Sequence, residues 1–63
     1  MTREDRITAL IAAHKQSRNG KLTFVLLSAD NITITQNEQE AKTLVRKNGY
    51  RVYAKCKDDC LIL

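Results

Sequence analysis

A chain of 63 residues makes one domain near the lower limit of independent folding, burying only about 60% of its unfolded surface. With 43% hydrophobic and 29% charged residues, two glycines and no proline, the composition argues against disorder and against a loop-rich scaffold. The net charge of +4 favours an acidic partner, and two cysteines are too few for a disulfide framework, which points to a reducing, cytoplasmic setting.

No apolar signal-peptide core follows Met1-Thr2-Arg3-Glu4-Asp5-Arg6, and no run approaches the length of a membrane span, so no membrane role is expected. Thr2 reads as an N-cap, with Asp5 at the capping-box position and Glu4 beside it near the positive end of the dipole. Ile7, Leu10, Ile11 and His14 follow at helical spacing, while Ala9, Ala12 and Ala13 keep propensity high. Lys15 and Arg18 suit the last turn, and Asn19-Gly20 supplies a left-handed stop. A first helix is therefore predicted from Thr2 to Arg18.

Gly20-Lys21-Leu22-Thr23-Phe24-Val25-Leu26-Leu27 is the most apolar stretch of the chain. Strands covered on both faces read as nearly continuous apolar runs, so this is a central strand. Leu22, Phe24 and Leu26 point to one side, and Val25 and Leu27 to the other. Ser28-Ala29-Asp30-Asn31 forms a turn into Ile32-Thr33-Ile34-Thr35, which alternates cleanly. A two- or four-residue loop sides Ile32 and Ile34 with Val25 and Leu27; a three-residue loop sides them with Phe24 and Leu26.

Asn37 and Glu40 form a second cap pair, followed by an apolar stripe of Ala41, Leu44 and Val45 and a stop at Asn48-Gly49. A third strand runs from Tyr50 to Cys56, with Tyr50, Val52, Ala54 and Cys56 on one side and Arg51, Tyr53 and Lys55 on the other. Lys57-Asp58-Asp59 is a turn, and Cys60 to Leu63 a short returning strand. The expectation is a single two-layer α+β domain over residues 1–63, of order αββαβ(β), with three or four mainly antiparallel strands. The second helix crosses between strands two and three. Helix–Asn-Gly–strand recurs at an offset of 29 residues, but shared capping chemistry accounts for most of that likeness.

From Ala41 to Lys57 the chain holds Lys42, Arg46, Lys47, Arg51, Lys55 and Lys57, with Tyr50 and Tyr53 interleaved and no acid. Cations and aromatics on a sheet suit phosphate contacts and base stacking. The bland explanation is that Arg46 and Lys47 answer the helix dipole and Glu38 pairs with Lys42. In a two-layer domain Arg51, Tyr53, Lys55 and Lys57 lie on the open sheet face, while Lys42 and Arg46 lie outside the second helix. That open face also receives part of the central strand, either Val25 and Leu27 or Leu22, Phe24 and Leu26, which with Tyr53 and a rim of Arg51 and Lys55 reads as a protein-binding or dimer surface. The competing arrangement has one helix on each face and leaves nothing apolar exposed.

Cys56, Cys60 and His14 are the only soft metal ligands, one short of a structural zinc site, so no metal or cofactor is expected. A Cys56–Cys60 disulfide fits a tight turn but is expected to be reduced in a cytoplasmic setting. One histidine, no phosphate loop and no spaced carboxylate pair give catalysis little to use, and Asp58-Asp59 reads as turn chemistry. The expected function is therefore a non-enzymatic binding or regulatory module. Its partner is a protein or a second copy, met through Arg51, Tyr53, Lys55, Lys57, Val25 and Leu27. Nucleic-acid binding that adds Lys42, Arg46 and Lys47 is the alternative.

Overall fold

The structure, a computed structural model, describes residues 2–63. Helix α1 (Arg3–Gln16) runs into a 3-10 turn (Ser17–Asn19) and is followed by β1 (Thr23–Leu27) and β2 (Ile32–Thr35). Then come α2 (Glu38–Lys47), β3 (Arg51–Cys56) and β4 (Cys60–Ile62). The four strands form one antiparallel sheet in the order β2-β1-β3-β4. The α+β class and the element order are those expected from the sequence.

Local chemistry sets the helix limits. Thr2 Oγ1 accepts from the Asp5 N–H at 3.2 Å, and the Asp5 carboxylate accepts from the Thr2 N–H at 3.2 Å, completing a capping box. The Thr2 N–H first, and the Thr2 hydroxyl after it, hold the Asp5 carboxyl below its ordinary value. At the other end Gly20 turns the chain at φ 85°, its N–H donating to the Ser17 carbonyl at 3.0 Å. Asn37 caps α2 by accepting from the Gln39 and Glu40 N–H groups at 3.0 and 3.2 Å. The reciprocal half of that second box does not form. The Asn37 N–H donates to Thr35 Oγ1 at 3.1 Å, and Glu40 accepts from the same Thr35 hydroxyl at 3.4 Å.

The Ser28–Asn31 loop has four residues and pairs Leu27 with Ile32 and Val25 with Ile34, so both isoleucines side with Val25 and Leu27. Antiparallel pairing of β1 with both β2 and β3 leaves those two flanking strands parallel to each other. The β2–α2–β3 segment is thus a crossover over one face of β1. There α2 lays Ala41 and Leu44 against Phe24, Leu26, Tyr50 and Val52. Helix α1 covers the opposite face, packing Ala9 and Ala13 on Val25, Ala54 and Cys56, with Leu10, Ile32, Ile34, Tyr53 and Cys60 around them.

The domain is therefore helix–sheet–helix, and the two-layer arrangement expected from the sequence is corrected. The cause is β1 itself, which is apolar on both sides and whose Val25 and Leu26 are fully buried. Each face needs its own cover, since exposed apolar area costs about 25 cal/mol per Å². The layering also bears on the recurring helix–Asn-Gly–strand pattern. A two-fold that exchanges adjacent antiparallel strands runs normal to the sheet and would place both helices on one face. These helices lie on opposite faces, so the two halves are not related in that way.

Polar groups near the end of α1 join the layers. Asn19 Nδ2 donates to Gln36 Oε1 at 3.1 Å, and Gln36 Nε2 donates to the buried Thr23 hydroxyl at 3.0 Å and the Gln16 carbonyl at 3.0 Å. The loop after β2 is thereby tied to the helix stop before β1.

Candidate binding surfaces

One irregularity decides where the basic segment points. The β1–β3 pairing runs Val25 to Ala54 and then Leu26 to Val52, which leaves Tyr53 as an extra residue in β3. A β-bulge of this kind breaks the two-residue alternation. Val52 faces α2, Tyr53 and Ala54 both pack on the α1 side, and Lys55, paired with Phe24, returns to the α2 side. The sequence expectation that Arg51, Tyr53 and Lys55 share one face is thus corrected.

The other expected partner residues divide accordingly. Val25 is fully buried beneath α1 and is out of reach of any partner. Leu27, Arg51 and Tyr53 do come together, with Val52 and Leu63, around a depression of about 300 Å³. Lys57 lies in the β3–β4 turn, its N–H donating to the Asp59 carbonyl at 3.0 Å. Lys47, in the last turn of α2, is exposed. Lys42 and Arg46, which a two-layer fold separates from Lys55, stand beside it here.

Lys42, Arg46 and Lys55, with Glu38, rim a groove between α2 and the sheet whose floor is Phe24, Ala41, Val45 and Val52. Its cavity is about 260 Å³. Glu38 pairs with Lys42 at 3.5 Å across one helical turn, an exposed contact worth no more than about 0.5 kcal/mol. The Lys55 ammonium lies 5.9 Å from the centroid of the Phe24 ring, within cation–π range.

The second surface is the β4 edge, one of the two free edges of the sheet, the other being β2. β4 pairs only with β3, and Leu61, Ile62 and Leu63 are 65%, 55% and 64% exposed. Ile62 continues into Ile7, Leu10 and Tyr53 on the α1 side, rimmed by Arg3 and Arg6. An edge strand is usually guarded by a charge, a proline or a bulge, and Cys60–Ile62 carries no charge or proline. From the sequence these residues read only as a closing strand. The signal was available in an uncharged run of large apolar residues placed after the last turn.

The cysteines sit at the root of this edge. Cys56 and Cys60 are cross-strand neighbours joined by a disulfide, which corrects the expectation of reduced thiols. His14 Nε2 donates to the Asp58 carbonyl at 2.9 Å, so the histidine fastens α1 to the β3–β4 turn. Among the described residues, no three His, Cys, Asp or Glu side chains converge on a common metal position. No described helix is long and apolar enough to cross a membrane. No family model, curated protein or solved structure matches this chain.

Proposed function

We propose that this chain is a small non-enzymatic binding protein that acts by protein–protein contact at the β4 edge, its partner being a second copy of itself. The observation that carries this reading is the exposure of Leu61 and Ile62 on an unguarded strand, with exposed Leu63 directly after it. Antiparallel β4–β4 pairing would satisfy identical open edges by one isologous contact. It would also cover Ile62 and Ile7, and a domain this small gains disproportionately from added burial. The contact surface is then the edge of the sheet, because a helix already lies on each face.

The nucleic-acid alternative is weakened by the bulge. Tyr53 packs toward α1 while Lys55 stands on the opposite face, so the cations of the groove have no exposed aromatic beside them for base stacking. Sedimentation equilibrium tests the proposal. We expect a concentration-dependent dimer in the wild type and a monomer in Ile62→Lys, which places a charge on the edge without entering the core. A wild type that stays monomeric at millimolar concentration overturns it.

A further inference from the structure

We propose that the groove between α2 and β3 is a second binding site, one that takes an acidic protein segment anchored by a single apolar side chain. It lies on the α2 face and is a separate surface from the β4 edge. Its floor is apolar, with Val45 39% exposed at one wall and Phe24 at the base. Its rim carries three cations against one acid, and that acid is engaged with Lys42. Among the described residues, Arg46 and Lys55 have no carboxylate partner.

Charge complementarity names the occupant. A guanidinium presents a planar fork that binds a carboxylate in bidentate fashion, and Arg46 offers one at the mouth of the groove. Lys55 supplies a second, point-like charge above the Phe24 ring. A cavity of about 260 Å³ admits one large side chain, and a buried anchor in a pocket with a charged rim is how short protein segments are held. A phosphate backbone fits less well, because the floor offers no open aromatic face and Glu38 stands on the rim.

The probe is a short synthetic peptide with one phenylalanine flanked by glutamates, titrated into the 63-residue chain and followed by amide chemical shifts. It is run on the wild type and on Ile62→Lys, so that the result does not depend on self-association. Saturable shifts are expected at Phe24, Val45, Val52 and Lys55 in both proteins. Arg46→Glu, an exposed change whose remaining spectrum reports an intact fold, should weaken binding about tenfold. A peptide with serine in place of phenylalanine should lose saturable binding. Shifts that miss the groove overturn the proposal, as does equal binding of the serine peptide. So does an oligothymidylate that displaces the peptide from these residues.

Discussion

Lys55 faces Phe24 across the β1–β3 pairing, with its ammonium 5.9 Å from the ring centroid. Strict alternation from Val52 would have put Lys55 on the other side of the sheet. The bulge at Tyr53 reverses that phase, so the cation reaches the aromatic floor of the groove rather than the α1 layer. One extra residue therefore brings Lys55 to Lys42 and Arg46 and separates it from Tyr53.

Phe24 is 7% exposed and bears the packing of Ala41 and Leu44 from α2. Phe24→Ala should cost about 3–5 kcal/mol, most of the stability available to a domain of this size. Urea denaturation followed by circular dichroism should find the variant largely unfolded without denaturant. A cooperative transition at nearly the wild-type midpoint would refute a central role for this ring.

Gly20 is held at φ 85°, and a Cβ placed there would meet nothing within 4 Å. The cost of Gly20→Ala is therefore backbone strain alone, about 1–2 kcal/mol. Gly20→Asn should cost less, since asparagine tolerates this conformation better. Thermal melts that rank alanine above asparagine would contradict the left-handed stop.

Much of this fold was legible in the sequence, for a reason particular elements show. Thr2, Asn37, Asn19-Gly20 and Asn48-Gly49 act on their immediate neighbours, so the limits of α1 and α2 follow from local chemistry. The two-sided apolar content of β1 called for cover on both faces, yet the two-layer expectation left one of them open. The bulge left no such mark, because Arg51-Val52-Tyr53-Ala54-Lys55-Cys56 alternates without a break and only the partner strand shows Tyr53 to be the extra residue. The face taken by α2 depends on the path of the β2–α2–β3 crossover, which no local pattern encodes. The groove combines both features, so its residues were named from the sequence while their meeting was not.

Asp5 links α1 to pH. Its folded pKa is depressed by the Thr2 N–H and then the Thr2 hydroxyl, so the ionised carboxyl stabilises the helix above the ordinary aspartate range. That contribution is lost as pH falls through the folded value. Asp5→Asn should lower stability at neutral pH and flatten the acid limb of the stability profile. Parallel acid limbs in the two proteins would show that the capping box is not the group titrating.

β4 is held to the sheet by covalent and polar attachments together. Besides its antiparallel ladder with β3, it is fastened by the Cys56–Cys60 disulfide, the Leu63 N–H donating to the Tyr53 carbonyl at 2.9 Å, and His14 holding Asp58. A disulfide that closes so short a loop contributes about 2 kcal/mol in the chain-entropy account. Cys56 sits among Ala9, Ala13 and Ala54, so alanine suits that site better than serine, whose hydroxyl would be buried. Cys56→Ala with Cys60→Ala should therefore stay folded and melt lower. The loss should also be local. Amide exchange should quicken at Leu63 while Val25 and Leu26, in the buried centre, keep their protection. Because the proposed self-contact uses that same edge, dimerisation should weaken in parallel. Exchange that quickens equally in β1 and β4 would show that the disulfide supports the whole domain rather than its edge.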